Sequence, residues 1–205
     1  MSQVIHHDEH YDPEASKVGM WLFIFTELLL FGGLFIVYSI YRYLNPDAFH
    51  LAGEELNVTI GFINTAVLLV SSMTIAMSTT ALQRGQKNTA IVLIEITLML
   101  ALIFLINKYF EWGVKFGHGI FPGSEYMKQN MGDGEILFFG LYFIMTGLHA
   151  LHIIVGMIVI GFALAGVQKG KVNANRAALL ENAGLYWHLV DLIWIFLFPL
   201  FYLIT

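Results

Sequence analysis

Residues Glu135–Val167 read EILFFGLYFIMTGLHALHIIVGMIVIGFALAGV, a run in which Glu135, at its very start, is the only Asp, Glu, Lys or Arg. A bilayer core takes about 20 apolar residues to cross as a helix. The run lacks the strict alternation of membrane-barrel strands. Helix is then the structure that satisfies its backbone in hydrocarbon. Four similar runs accompany it, so spans are predicted at about 18–43, 58–82, 89–109, 135–167 and 184–204. The expected fold class is all-α: a polytopic membrane helical bundle of five transmembrane helices over 18–205, preceded by a polar N-terminal arm at 1–17. The intervening stretches read as loops. They are Asn45-Pro46-Asp47, a tight turn at Gln83–Asn88, a Gly-rich loop from Gly113 to Asp133, and a basic loop from Gln168 to Asn182. Pro199 falls inside the last span, where membrane helices tolerate a kink.

Composition points the same way. Of 205 residues, 58% are apolar and 12% charged, against about 25% charged in an ordinary soluble domain. Mean hydropathy is +0.71. These values exclude a disordered chain, a nucleic-acid binder and an ordinary cytosolic domain. The net charge of -5 is mild and scattered. With no cysteine there is no disulfide, thiolate metal site or thiol nucleophile. The arm lacks the basic and short apolar regions of a signal peptide, so none is expected. Its His6, His7 and His10 read as part of a solvated tail, with metal binding as the alternative.

Five spans put the N-terminus and the second and fourth loops on one side. That side holds Lys17, Arg84, Lys87, Lys169, Lys171 and Arg176; the other holds Arg42, Lys108, Lys115 and Lys128. The excess places the N-terminus in the cytoplasm and the C-terminus in the periplasm. Trp21 and Trp187 at the inner ends, and Tyr41, Tyr43, Tyr109, Trp112 and Tyr202 at the outer ends, read as aromatic belts.

Ionisable groups inside a span default to a functional hypothesis. Apart from Glu135 at the start of the fourth run, three acids lie within the apolar runs, Glu27, Glu95 and Asp191, and three histidines accompany them, His149, His152 and His188. The acids fall in the inner half, roughly 9–13 Å from the inner ends of their spans at about 1.5 Å per residue. Tyr142, Thr146, His149, His152 and Gly156 share one helical face, and such a polar and small stripe should face protein. His188 and Asp191 share a face, as do Gly61, Asn64, Ser71 and Ser78. Three readings of the six ionisable residues stay open: hydrogen-bonded glue between helices, support for a proton or ion pathway, and a metal or haem site using His152 and His188. No nucleotide-binding, zinc-protease or serine-hydrolase motif is present.

Three motifs carry a resemblance. Gly19-Met20-Trp21-Leu22-Phe23-Ile24-Phe25-Thr26-Glu27 is one. Thr146-Gly147-Leu148-His149-Ala150-Leu151-His152-Ile153-Ile154-Val155-Gly156 is the second. Tyr186-Trp187-His188-Leu189-Val190-Asp191-Leu192-Ile193-Trp194 is the third. Together with Asn64-Thr65, Ser71-Ser72 and Glu111-Trp112, they resemble subunit III of the haem-copper oxidases, the cytochrome c and quinol oxidases. The order is kept over most of the chain. The longest members have seven helices; this chain resembles the short bacterial forms that lack the first two. Thr26 stands where the family often has Ser, and Ala150 where it has Gly.

The resemblance implies a subunit that binds no haem or copper and is not itself catalytic. It packs beside the catalytic subunit I of a respiratory oxidase, with subunit II in the same complex. It binds phospholipid and supports proton uptake while the complex reduces O2 to water in the bacterial plasma membrane. Glu27 matches the family's carbodiimide-reactive intramembrane glutamate. His149, His152, His188 and Asp191 match motif positions, whereas Glu95 has no counterpart to transfer. The alternatives are a subunit III-like accessory protein of a nitric oxide reductase system, a free-standing ion carrier and a small membrane cytochrome. No nucleic-acid partner is expected.

Overall fold

The computed structural model describes residues 13–204 and is helical throughout apart from its loops. Helix α1 spans Pro13–Leu44, α2 Pro46–Glu54, α3 Val58–Gln83, α4 Lys87–Gly117, α5 Glu125–Asn130, α6 Asp133–Gln168 and α7 Ala178–Phe198. A π-helical turn, Pro199–Leu203, continues α7. Five of these helices, α1, α3, α4, α6 and α7, are long and apolar enough to cross a membrane. The His-rich segment with His6, His7 and His10 lies outside the described residues.

Local chemistry sets the boundaries. Asn57 and Ser124 cap α3 and α5 by accepting the amide N–H of Ile60 and Met127, which satisfies donors the first helical turn leaves open. Glu135 reaches back to accept the Gly132 amide at 2.8 Å. Gly85 and Gly170, both with positive φ, end the turns after α3 and α6, a conformation that glycine adopts without strain.

The helices outrun several predicted spans. Helix α1 is already formed at Pro13, inside the predicted arm. Helix α4 continues from Tyr109 to Gly117, and α5 forms within the segment read as a Gly-rich loop. An apolar window stops at the first charges, but a helix passes through charges that have partners. In α4, Lys108, Glu111 and Lys115 are all buried.

Helix α7 is the centre of the bundle. It packs against α1, α3 and α6, while α4 packs against α3 and α6. Of the span in α7, 61% is buried, against 11% for α1, which lies at the edge. One end of the bundle is fixed by polar contacts. Lys17 pairs with Glu181 at 3.0 Å, Gln83 donates to Glu181, Asn182 donates to Ser16, and Lys87 donates to the Gln168 carbonyl. The N-terminus of α1, the α3–α4 turn and the α6–α7 loop therefore share one end. At the other end, Tyr38 donates to the Leu200 carbonyl and Lys115 to that of Glu55.

Candidate functional site

The six ionisable residues singled out in the spans do not gather at one point. Glu27 on α1 and His152 on α6 meet directly, Oε2 to Nε2 at 2.8 Å. The other ring nitrogen of His152, Nδ1, lies 2.7 Å from the Leu148 carbonyl. A carbonyl only accepts, so Nδ1 carries a proton. The Nε2–Oε2 contact then holds one proton, shared between imidazole and carboxylate. Phe31, one helical turn beyond Glu27, packs its ring edge-on against His152 with centroids 5.3 Å apart. Tyr186 of α7 donates to the His152 carbonyl at 3.0 Å. The pair thus bridges α1 to the central helices.

His188 and Asp191 share a face of α7, and Ser72 of α3 stands opposite them. The Ser72 hydroxyl is 2.6 Å from His188 Nδ1 and also neighbours Asp191. Asp191 is buried, and its Oδ1 has no partner among the described residues. His149 is fully buried; its ring stacks on Trp194 at 5.2 Å and meets Phe104 edge-on at 5.6 Å. Glu95 is exposed on α4, apart from all of these. Both ring nitrogens of His152 are engaged, which leaves no lone pair for an iron and removes the basis for pairing it with His188 in a haem site. Among the described residues, no three His, Cys, Asp or Glu side chains come together as a metal site.

The motif positions do packing work that their residue types explain. The indoles of Trp187 and Trp194, two turns apart on α7, donate to Ser71 and Thr65 of α3, each at 3.0 Å. Gly156 of α6 lets the Trp187 and Tyr186 rings approach so closely that an added Cβ would lie 2.8 Å and 3.0 Å from them. Gly147 receives the Trp112 ring in the same way at 3.2 Å. Thr146 returns its hydroxyl to the Tyr142 carbonyl. Asn64 accepts from Asn107 at 2.8 Å across α3 and α4. Met20 is half-buried, while Gly19 and Trp21 lie exposed near the N-terminus of α1. Gly61, Asn64, Ser71 and Ser78 are all buried, so the small-polar stripe of α3 faces protein.

Sequence reasoning named Tyr142 and Glu111 but missed the buried network they belong to. Lys108, counted above among the charges of the outer side at the end of the third span, is 4% exposed inside the bundle. Its ammonium donates to Glu111 Oε2 at 3.0 Å, to the Tyr202 hydroxyl at 2.7 Å and to the Tyr142 hydroxyl at 3.2 Å. Tyr142 and Tyr202 both donate to Glu111 Oε1. Three ammonium donors thus meet three acceptors, and each phenol both gives and receives. A buried ion pair is tolerated when its hydrogen bonds are complete in this way. The Trp194, Tyr142 and Tyr202 rings also face the ammonium, at 4.9, 5.1 and 5.3 Å, which adds cation–π attraction. The π turn after Pro199 carries Tyr202 into this network. Tyr202 and Trp187, read above as belt aromatics, are buried. Trp21, Tyr41, Tyr43 and Tyr109 are exposed, as belt residues are. The missed signal was register: Thr97, Ala101, Phe104, Lys108, Glu111 and Lys115 alternate by four and three on one face of α4, and all are buried.

A family model described as cytochrome c oxidase subunit III matches residues 6–205. A cytochrome c oxidase subunit 3 from Thermostichus vulcanus is 30% identical over 197 residues, covering 96% of this chain and 90% of that protein. A heme-copper oxidase subunit I+III from Aeropyrum pernix is also 30% identical, over 206 residues; they cover 96% of this chain but only 24% of that longer protein. A probable quinol oxidase subunit 3 from Staphylococcus saprophyticus is 27% identical over 194 residues, 95% of this chain and 91% of that protein.

Proposed function

Because the chain belongs to the cytochrome c oxidase subunit III family, we propose that it supports assembly, lipid binding and proton uptake for a catalytic subunit I. The complex would reduce O2 to water in aerobic electron transport. The chain is a multi-pass membrane protein and a subunit of a haem-copper oxidase, placed in the plasma membrane as part of a bacterial oxidase. Its role is that of a companion without haem or copper of its own, beside subunits I and II and bound phospholipid. The oxidase names of its relatives leave the nitric oxide reductase accessory, the ion carrier and the small cytochrome without a supporting observation. The N-terminus is assigned to the cytoplasm. With Lys108 and Lys115 both buried in the bundle, the inner side keeps the larger share of the remaining cations.

The observation that carries the proton-uptake reading is the Glu27–His152 contact. Both side chains are mostly buried, with 14% and 12% of their surface exposed. A carboxyl and an imidazole in hydrogen-bond contact inside the membrane can pass a proton between them, the property needed of a group that assists proton transfer. The test is the purified oxidase with and without this subunit, and with Glu27→Gln. Loss of the subunit should slow proton uptake and shorten active lifetime while initial O2 reduction persists. Glu27→Gln should slow proton uptake with the metals and subunit content intact. Immediate loss of O2 reduction with metals intact would instead show a direct catalytic role. Unchanged proton uptake in Glu27→Gln would remove the pair from it.

A further inference from the structure

Among the described residues, Glu95 is the acid well inside a span, rather than at its end, that the fold sets on its outside. It lies on α4, the span with the highest mean hydropathy of the five, about 12 Å along the helix from Lys87 at 1.5 Å per residue. It is exposed. Among the described residues it has neither hydrogen bond nor ion pair. The side chains that share its helix face cannot supply one: Ile91, Val92, Leu98 and Met99, three and four residues away, are all apolar. Lys87, at the start of the same helix, is engaged by the Gln168 carbonyl. A glutamate side chain is too short to reach the helix end by itself, as a lysine or arginine would. The surrounding surface is hydrocarbon-like, with Val92, Met99, Leu102 and Ile106 about half exposed.

Two other acids on the membrane-spanning helices are partnered inside the chain, and the buried Asp191 keeps Ser72 beside it although its Oδ1 has no partner among the described residues. The fold gives Glu27 a histidine and Glu111 an ammonium and two phenols. A carboxylate facing outward at this depth therefore marks a surface completed by something outside the chain. Lipid tails offer no donor. Charge complementarity calls for a cation at the same depth, and only another membrane-spanning polypeptide can hold one there.

We propose that the Glu95 face of α4 is a docking surface for a transmembrane helix of another subunit of the complex, which presents a basic side chain to Glu95. This rests on the reading of the chain as an oxidase subunit. The contact acts as a pairing key: the apolar residues around it supply area, and the ion pair selects which helix binds and at what height.

The experiment uses the intact oxidase. A photo-reactive benzophenone amino acid replaces Met99, one turn from Glu95, and the complex is illuminated in the membrane. One membrane subunit should be captured, at a transmembrane residue near a Lys or Arg. In a second preparation, Glu95→Leu should accelerate loss of that subunit in detergent by about thirty-fold or more, the effect of removing one partner of a buried charge pair. Glu95→Gln should have a smaller effect. The level of the chain in the membrane should be unchanged in both variants, since Leu fits an apolar face. Capture of lipid alone, or of this chain's own N-terminal arm, with Glu95→Leu leaving subunit content unchanged, overturns the proposal while the oxidase reading stands. A chain that copurifies with no haem-containing partner overturns the oxidase reading, and the proposal with it.

Discussion

Helix α4 carries two glutamates sixteen residues apart, Glu95 and Glu111, and the fold treats them in opposite ways. At about 100° per residue they point roughly 160° apart around the helix. Glu111 points into the bundle, where Lys108, Tyr142 and Tyr202 donate to both of its oxygens. Glu95 points out and meets nothing within the described chain. One acid is an internal fastener, fixing α4 to α6 and to the turn after α7. The other has no meaning for a monomer. A subunit built for a larger complex needs both kinds, and exposure tells them apart where residue type does not.

The comparison breaks most readily at its buried end. Lys108→Met removes the ammonium and leaves Glu111 buried, with two phenols but no counter-charge. Breaking a buried pair by removing one member costs about 3–5 kcal/mol. The temperature at which the subunit unfolds and dissociates from detergent-solubilised oxidase should fall accordingly. Adding Glu111→Gln to the same chain should recover most of the loss, because the amide oxygen still accepts from the tyrosines and no charge is stranded. A single variant no more harmful than a surface change, within about 0.5 kcal/mol, would show that this network does not fasten α4.

The next effect separates packing from charge. Gly156 and Gly184 both lie on helix surfaces turned toward neighbouring helices. A Cβ at Gly156 meets Trp187 ring carbons at 2.8 and 2.9 Å, whereas at Gly184 the nearest atom is 3.9 Å away. Gly156→Ala should destabilise by about 1–3 kcal/mol through overpacking. Gly184→Ala should be neutral or gain up to about 1 kcal/mol of helix propensity. The same thermal measurement decides it. Equal losses would mean that the α6–α7 contact is not the tight one.

The reach of sequence reasoning follows the same division. Five spans were legible because apolar runs of bilayer length have few other solutions, and the small-polar stripe of α3 was legible from its register. The ends of the spans were not. Hydropathy treats Lys108 as the end of a membrane segment, although partners from α4, α6 and the turn after α7 neutralise it. Two of those partners lie 34 and 94 residues away in sequence, beyond any local window. The same blindness put Tyr202 and Trp187 in an aromatic belt, since a tyrosine at an interface and one in a core have identical composition. Glu27 and His152 could be named but not paired, because 125 residues separate them. Only the approach of α1 to α6 joins them.

The smallest predicted effect lies in the two indole–hydroxyl contacts between α7 and α3, and it tests whether burial alone grades polar contacts in this bundle. Ser71→Ala strands the Trp187 N–H and Thr65→Val strands that of Trp194; both indoles are buried, but Ser71 is itself buried where Thr65 is only half-buried. An unsatisfied buried donor costs about 1–3 kcal/mol. Ser71→Ala should therefore sit within that range and Thr65→Val near or below its lower end, about 1 kcal/mol or less. Thr65→Val also preserves side-chain volume and leaves the Trp194 ring over Lys108, so the Lys108 network should survive it. If Thr65→Val proved the more damaging, its hydroxyl would have to be supporting the Trp194 ring against the ammonium. The Lys108 network would then extend into α3, and the buried half of the comparison would be a fastener of four elements rather than three.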